Sequence, residues 1–143
     1  MPLGREVRCG TLVREGEVVA LPLEEYALDE VRTAEDKVAP ADDGGLRLMA
    51  KGAERSWIVP ADDPVVPAVQ DAARRAHVAL GCRHYGLFDL RVDPDGRPWF
   101  LEASLYCSFA RQSVLCVMAA AAGLDVPALL ATTLATLEVD HAA

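Results

Sequence analysis

The sequence has few basic residues for its acidic content, which argues against a nucleic-acid partner. It contains 14 Lys and Arg against 22 Asp and Glu, a net charge of −8 over 143 residues, whereas neutralising a phosphate backbone takes clustered Lys and Arg. It also lacks a basic segment followed by an apolar run near its start, and its longest apolar run, 114–123, is too short to cross a bilayer. We therefore expect no signal peptide, no membrane association and a cytoplasmic location.

Closely spaced pairs of metal-binding residues are missing as well. The four cysteines, Cys9, Cys82, Cys107 and Cys116, form no C-x-x-C motif, and zinc sites usually draw their ligands from such pairs. Free cysteines commonly behave as small hydrophobic residues, and disulfides are rare in a reducing compartment. The pattern predicts four free thiols that are mostly buried.

What is present is an ordinary globular composition, with 52% hydrophobic and 25% charged residues, in a chain long enough for one domain with a hydrophobic core. Alternating residues on both sides of Gly16 predict an antiparallel hairpin made of 5–13 and 18–26. Residues 29–56 are polar and irregular, which predicts a loop. In 57–64, a short strand leads into the start of a helix.

Three helices are predicted in the rest of the sequence. From residue 64 to residue 80, apolar side chains recur every three or four positions. This helix has Asp62 or Asp63 as its N-cap, Pro64 in its first turn and Gly81 as its C-cap. Two further helices follow, at 113–124 and 126–137. The order β-β, loop, α, β-β, α-α predicts an α+β fold in which helices cover an antiparallel sheet.

Residues 88–104 predict a second hairpin, which brings two acidic side chains together. Asp95-Gly96 is a strong signal for a two-residue turn, which needs a positive φ at both positions. Such a turn fixes the register of the hairpin and gives it two faces. The apolar face pairs Leu90 with Leu101, Val92 with Trp99 and Phe88 with Ala103, and the other face pairs Asp89 with Glu102, Arg91 with Phe100 and Leu87 with Ser104.

The repulsion between the opposed Asp89 and Glu102 must be offset, because like charges directly across a sheet destabilise it. A shared proton, a neighbouring cation such as Arg91, or a bound metal ion would each serve. Mg²⁺ is typically held by one or two carboxylates together with substrate phosphates. The alternative is a solvated strand surface, or a longer loop that shifts the register and separates the pair. The spacing alone does not decide between these interpretations.

Three stretches carry a resemblance to a known family: "GREVRCGTLV" (4–13), "LGCRHYGLFDLRVDPDGRPWFLEAS" (80–104) and "SVLCVMAAAAGL" (113–124). Together they resemble the C-terminal part of an ATP-grasp ligase of the D-alanine–D-alanine ligase type. The likeness runs from Gly4 to about Leu137 and is loosest in 26–60. It implies the C-terminal lobe of the ATP-grasp fold, which binds ATP and Mg²⁺. In that family a carboxylate is activated as an acyl phosphate and then attacked by an amine to form an amide.

The resemblance implies that Asp89 and Glu102 are ligands of two Mg²⁺ ions that bridge the ATP phosphates. Two neighbouring positions depart from the family pattern. Ser104, a weaker neutral ligand, stands where an Asn is usual, and Leu87 stands where an Arg usually stabilises the charged tetrahedral intermediate. Loss of such a donor typically costs about 10²–10³ in rate. Together with the unusual segment 105–112, these changes favour a divergent amide or peptide ligase over one that makes D-alanyl-D-alanine.

Three further residues receive roles from the resemblance, each with a plain structural alternative. Glu6 matches an acidic contact to the ATP ribose, or is a strand-surface residue. Lys37 matches a lysine near the active site, or is a solvated loop lysine. Ser113 matches a serine that contacts the substrate carboxylate, or is the N-cap of the following helix. A helix N-terminus favours an anion at Ser113 in either case.

Residues 1–143 match only one lobe of the family's two-lobed ATP site. The sequence has no adenine hinge, no glycine-rich loop and no G-x-x-x-x-G-K-[ST] motif. We expect a single partial domain, a fragment or half of a split enzyme, which is inactive alone. Its expected partners are ATP, small carboxylate and amine substrates, a missing N-terminal lobe or partner chain, and a second copy of itself.

Two other functions stay open. A degenerate, non-catalytic half-domain would dock a partner through an apolar patch made of Leu87, Phe100, Tyr106 and Phe109. A metal-dependent hydrolase is less favoured, because it needs a general base. The three histidines, His77, His84 and His141, are each predicted to lie on the surface.

Overall fold

The computed structural model describes residues 4–27, 38–40, 46–48, 56–104 and 106–140. These residues form eight strands and three helices. In chain order they are β1 (Arg5–Arg14), β2 (Glu17–Ala20), β3 (Glu24–Tyr26), β4 (Val38–Pro40), β5 (Leu46–Leu48), β6 (Ser56–Ile58), α1 (Val66–Ala79), β7 (Tyr85–Val92), β8 (Pro98–Ser104), α2 (Val114–Ala121) and α3 (Val126–Asp140). The predicted α+β class is confirmed.

One antiparallel sheet of six strands organises the fold. Its order is β6-β3-β1-β7-β8, and β2 pairs with the far part of β1. The central strand β1 pairs with β7 from Arg5 opposite Val92 to Leu12 opposite Tyr85. β4 and β5 form a separate two-stranded ladder inside the segment 29–56, which was predicted to be irregular. That prediction is wrong at these two strands, and most of the segment lies outside the described residues.

The first hairpin turns at the predicted position. Glu15 and Gly16 have φ values of 54° and 81°, the positive pair that a two-residue turn between antiparallel strands needs. The returning strand is interrupted after Ala20, near Pro22, which has no N–H to donate to a ladder. Leu21 keeps the chain close to β1 by donating its N–H to Gly10 O at 2.8 Å. The predicted strand 18–26 is therefore two short strands.

The turn between β7 and β8 is longer than predicted. Asp93 N donates to Arg97 O at 3.0 Å, and Gly96 N donates to Asp93 O at 2.9 Å. Within this turn only Gly96 has a positive φ, 81°, so the two-residue turn predicted at Asp95-Gly96 is wrong. The Asp93 carboxylate stabilises the longer form, because its Oδ1 accepts from the backbone N–H groups of Asp95 and Arg97 at 3.0 and 2.9 Å.

A β-bulge restores the pairing that the longer turn displaces. Next to the turn the register is one residue away from the prediction, with Leu90 opposite Phe100, Arg91 opposite Trp99 and Val92 opposite Pro98. The irregularity between Asp89 and Leu90 gives β8 one extra residue, Leu101. Beyond it, Asp89 faces Glu102 as predicted. The bulge also moves Trp99 onto the polar face and Phe100 onto the opposite, apolar face.

α1 covers that apolar face of the sheet. Val69 and Ala73 are fully buried and pack against Val7, Phe88 and Leu90, which project from β1 and β7. Their spacing of four residues on the helix puts both on the same side. The predicted apolar face of 64–80 is confirmed at Val69 and is wrong at its last residue, Leu80, which has 51% of its surface exposed.

The N-terminus of α1 differs from the prediction, whereas its C-terminus lies close to the predicted position. The N-cap is Val65, not Asp62 or Asp63. The Asp63 Oδ1 still accepts the Val65 N–H at 3.0 Å, so this carboxylate stabilises the turn before the helix. The first helical turn contains Pro67 in place of Pro64. The C-cap is Leu80, one residue before the predicted Gly81, and Gly81 follows with φ of 65°, the left-handed conformation that ends a helix.

α2 and α3 cover one half of the other face of the sheet. Leu12 and Leu87 project from the strands and pack with Leu115, Met118 and Leu129 from the helices. Gly10 allows this close approach, because a Cβ there would lie 2.9 Å from Leu115 Cδ1 and 3.3 Å from Met118 Sδ. We call this the helix-covered half. No described helix covers the rest of the face, which we call the helix-free half.

The four cysteines are free, as predicted, although only Cys9 and Cys116 are fully buried. Burial raises the pKa of the Cys9 thiol to about 12 and that of the Cys107 thiol to about 11. Among the described residues no single helix has the length and hydrophobicity of a membrane span. α2 and α3 meet the criterion only together, with a bend of 100° between them.

Candidate functional site

Four charged residues lie side by side across the helix-free half, one on each of four neighbouring strands. Glu24 on β3 faces Arg8 on β1, Arg8 faces Asp89 on β7, and Asp89 faces Glu102 on β8. Residues directly opposed in an antiparallel ladder project from the same face. We call Glu24, Arg8, Asp89 and Glu102 the charged row.

Arg8 is the cation that neutralises Asp89. Its Nε donates to Asp89 Oδ1 at 2.9 Å, and its Nη1 lies 3.9 Å from Glu24 Oε2. Its guanidinium carbon lies 5.1 Å from the centre of the Tyr26 ring, within cation–π range. Arg91, which the sequence offered as an example of such a cation, donates to Glu6 Oε1. A neighbouring cation is therefore present at the acidic pair, and Arg8 is the one hydrogen-bonded to Asp89.

The charged row holds three carboxylates and one guanidinium, so it remains rich in negative charge. Asp89 and Glu24 are buried, with 8% and 7% of their surface exposed, while Glu102 is exposed. Within the described chain, the buried Glu24 Oε2 has no hydrogen-bond partner. A buried acceptor without a partner is costly. The pKa of the nearby Tyr26 is raised, first by burial and then by the Asp89 charge.

The geometry of Asp89 and Glu102 suits a hard divalent cation. Mg²⁺ takes oxygen ligands and keeps several positions for water or phosphate, so that one or two protein carboxylates are enough. The described residues contain no group of three or more His, Cys, Asp or Glu side chains that could hold a metal ion by themselves. Asp89 and Glu102 could therefore hold a divalent ion only where water or phosphate oxygens complete its coordination.

Comparison with known proteins identifies the family. The family model described as the D-Ala–D-Ala ligase C-terminus matches residues 4–135. The chain belongs to this family. The D-alanine–D-alanine ligase of Mycobacterium tuberculosis strain H37Rv is 34% identical over 134 residues, which are 93% of this chain and 35% of that protein. The D-alanine–D-alanine ligase of Bordetella petrii is 32% identical over 124 residues, 85% of this chain and 35% of that protein.

Solved structures of D-alanine ligases share the fold. The VanG D-Ala:D-Ser ligase from Enterococcus faecalis superposes with a TM-score of 0.71 at 22% identity, over 95% of this chain and 37% of that chain. The D-alanine–D-alanine ligase from Bacillus anthracis complexed with ATP superposes with a TM-score of 0.67 at 20% identity, over 97% and 40%. The fold is thus that of the C-terminal lobe of these ligases. The chain spans about a third of the length of the curated relatives it matches.

Beside the charged row, a second pair of opposite charges uses the same face. Glu6 and Arg91 are directly opposite in the β1–β7 ladder and form an ion pair. Trp99 lies opposite Arg91 and donates its Nε1–H to Asp93 Oδ2 at 2.9 Å. Glu6, which the family resemblance links to the nucleotide, is therefore only partly exposed and is already held by a cation.

The two positions that depart from the family pattern face each other. Leu87 is opposite Ser104 in the ladder, as predicted. Leu87 has 8% of its surface exposed and belongs to the apolar cluster under α2, whereas Ser104 is half-buried. The apolar docking patch that we considered from the sequence does not form as one surface. Leu87 is buried, and Phe100 lies on the other face beside Phe88, with ring centres 6.4 Å apart.

Ser113 has a structural contact of its own in the loop before α2. Ser113 occupies the N-cap position of α2, but its hydroxyl makes no cap hydrogen bond and instead donates to Ser108 O at 2.6 Å. The side chain thus stabilises the loop before α2. Lys37 lies outside the described residues.

Two histidine predictions also need correction. His77 is not a surface residue: it has 2% of its surface exposed, and its Nδ1 lies 2.8 Å from Thr11 Oγ1. His84 is half-buried, with its Nδ1 2.6 Å from Thr136 Oγ1. Neither appears in the charged row, and His141 lies outside the described residues.

Sequence reasoning missed Arg8 and Glu24. Arg8 stands two residues after Glu6 on β1, so alternation along the strand puts both on one face. That signal was available. It could not be used without the β1–β7 and β1–β3 registers, which join segments far apart in the chain.

Proposed function

We propose that this chain is the ATP- and Mg²⁺-handling module of a carboxylate–amine ligase. In this reaction a carboxylate is phosphorylated by ATP to an acyl phosphate, and an amine then displaces phosphate to form an amide. The observation that carries the proposal is the direct opposition of Asp89 and Glu102 on the helix-free half, in a chain that belongs to the D-Ala–D-Ala ligase C-terminus family.

In this proposal Asp89 and Glu102 would hold Mg²⁺, and Ser104, two residues beyond Glu102, would add a weak neutral ligand. The metal, when bound, neutralises charge on the phosphates during phosphoryl transfer. Through the metal that they would hold, the two carboxylates would position the phosphates relative to the acid that is activated. Because adjacent strands fix the backbones of both residues, only side-chain order has to be gained on binding.

Glu6, Lys37 and Ser113 have subsidiary roles in the proposal. Glu6 would contact the ribose, and Lys37 would lie near the phosphates. Ser113 would meet the substrate carboxylate at the start of α2, where unpaired N–H groups favour an anion. Its bond to Ser108 O uses the hydroxyl proton but leaves the hydroxyl oxygen as an acceptor.

The substrates are proposed to differ from two D-alanines. Leu87 is uncharged and packs under α2, so it cannot stabilise a charged tetrahedral intermediate. Tyr106, with 96% of its surface exposed, lies in the segment that the family uses near its substrate. We also propose that a second lobe, on the same polypeptide or on another, closes over the ATP that this lobe binds.

Calorimetry with Mg²⁺-ATP tests the proposal. We expect Asp89→Asn and Glu102→Gln each to weaken binding by about tenfold or more, because each removes a charged oxygen ligand. Asp71→Asn is the matched control, since Asp71 is an exposed carboxylate on α1 that pairs with Arg75. Binding by both site variants as tight as by the parent chain would remove the metal-binding role.

A non-catalytic interaction module is the second candidate, favoured by the burial of Leu87 where the family has a cation. Its contact surface would centre on the exposed Tyr106. We would then expect self-association in sedimentation velocity without nucleotide, lost in Tyr106→Ser, together with no binding of Mg²⁺-ATP. A monomer whose sedimentation is unchanged by Tyr106→Ser would exclude this candidate.

A further inference from the structure

Arg8 stands between two buried acids and is bonded to only one of them. Its side chain has 15% of its surface exposed, and the side chains of Asp89 and Glu24 have 11% and 9%. The bond to Asp89 is a hydrogen-bonded ion pair of 2.9 Å, whereas the 3.9 Å separation from Glu24 is too long for a hydrogen bond. Arg8 therefore satisfies Asp89 and leaves Glu24 Oε2 without a partner among the described residues.

A divalent cation at Asp89 would meet this guanidinium directly. A metal bound to the Asp89 carboxylate would have to share it with a positive charge at ion-pair distance, and like charges this close in a partly buried site repel strongly. Asp89 therefore cannot bind Arg8 and the metal ion together as strongly as it would bind either one alone.

Glu24 offers Arg8 a second place to bind. It faces Arg8 across the ladder on the side away from Asp89, and its unpartnered oxygen is the one nearer Arg8 Nη1. A small movement of the guanidinium toward Glu24 would release Asp89 and give Glu24 the hydrogen bond that it lacks. The two arrangements keep the same number of charge-assisted contacts, so the exchange is energetically balanced to a first approximation.

We propose that Arg8 competes with a divalent metal ion for Asp89 and transfers to Glu24 when the metal binds. Arg8 is thus a positioning residue of the site: it neutralises Asp89 without metal and sets the metal affinity. This inference rests on the proposed function, because it concerns the same carboxylates, and it adds a regulator that the metal-binding proposal alone does not require.

The test is Mn²⁺ binding to the chain without nucleotide, measured by electron paramagnetic resonance and by the shift of the thermal unfolding midpoint. Arg8→Gln removes the competitor, so we expect about tenfold tighter binding. Glu24→Gln removes the charge that receives Arg8, so we expect several-fold weaker binding. Glu25→Gln is the control for Glu24, because Glu25 is the adjacent buried carboxylate on the other face, paired with Arg5, and we expect it to leave Mn²⁺ affinity unchanged.

Two further variants keep the outcome decisive. Arg8→Gln/Asp89→Asn should lose the gain in affinity, which assigns that gain to Asp89. If Arg8→Gln does not fold, Arg8→Gln/Glu24→Gln keeps the net charge of the row and should still bind Mn²⁺ more tightly than the parent chain. Equal or weaker Mn²⁺ binding without Arg8, in whichever of these variants folds, overturns the inference. If Mg²⁺-ATP binding still depends on Asp89 and Glu102 in that case, the proposed function stands; if it does not, both fall.

Discussion

The helix-covered and helix-free halves of one sheet face are built from the same strands and carry opposite chemistry. On β1, Leu12 packs under the helices while Arg8 lies in the charged row; on β7, Leu87 and Asp89 divide in the same way. Strand alternation puts all four residues on one face. What differs is whether a helix packs there. In this fold the α2–α3 pair therefore supplies stability, while the rest of the face is available to bear charge.

Removing a buried side chain from the helix-covered half should have the largest effect on stability. Leu115 has 1% of its surface exposed, and its Cδ1 fills the space that a Cβ at Gly10 would occupy. We expect Leu115→Ala to lower the free energy of unfolding by about 3 kcal/mol, because it removes buried methyl groups and leaves a cavity. Urea unfolding followed by circular dichroism measures the change.

Leu134→Ala is the matched control for this change. Leu134 lies on α3 with 57% of its surface exposed, and its truncation should stay within about 0.5 kcal/mol of the parent. Equal losses for Leu115→Ala and Leu134→Ala would show that the α2–α3 pair does not stabilise the sheet through the helix-covered half.

The second hairpin shows how much of the site could be predicted from the sequence. The opposition of Asp89 and Glu102 was predicted correctly although the turn was not. The two-residue turn expected at Asp95-Gly96 is replaced by a longer one, and the extra residue Leu101 in β8 compensates for the shift. Turn residues and alternation predict that a hairpin forms and where its polar face lies. They do not predict a bulge, because bulges depend on packing and twist in the finished sheet.

The cation in the charged row could not be predicted in this way. Arg8 and Asp89 are 81 positions apart in the chain, and their contact depends on the register of β1 against β7. A register shift of one residue would turn Arg8 to the other face. Local patterns therefore predicted the helices and the acidic pair, whereas the residue that neutralises this pair comes from the non-local ladder.

A smaller effect, with a defined pH dependence, is expected under α1 on the opposite face. His77 is buried against Thr11, and burial lowers its pKa below the ordinary value of 6.5. The folded state thus holds His77 neutral. Stability from this group is complete above pH 6.5 and falls as the pH drops from 6.5 through the lowered pKa, because the unfolded chain then binds the proton more readily.

His77→Gln isolates this contribution, since glutamine can still hydrogen-bond to Thr11 but does not titrate. We expect the parent chain to lose up to about 1.4 kcal/mol per pH unit relative to His77→Gln within that window. Urea unfolding at several pH values between 5 and 7.5 measures the difference. If the unfolding free energies of the two proteins change with pH in parallel, a protonated His77 is tolerated beneath α1.

The smallest effect should come from the turn that holds Asp89 opposite Glu102. The pKa of Asp93 is lowered, first by the Trp99 Nε1–H bond and then by the Arg97 N–H bond. Its stabilising contribution is therefore present while the carboxylate is ionised and is lost as the pH falls through the lowered pKa. We expect Asp93→Ala to speed amide exchange at Arg97 above that pH and to match the parent chain below it. Asp95→Ala should leave this exchange unchanged, because Asp95 joins the turn through its backbone N–H. If Asp93→Ala exchanges like the parent at neutral pH, the bulge and strand pairing alone fix the register, and the acidic pair does not depend on the turn.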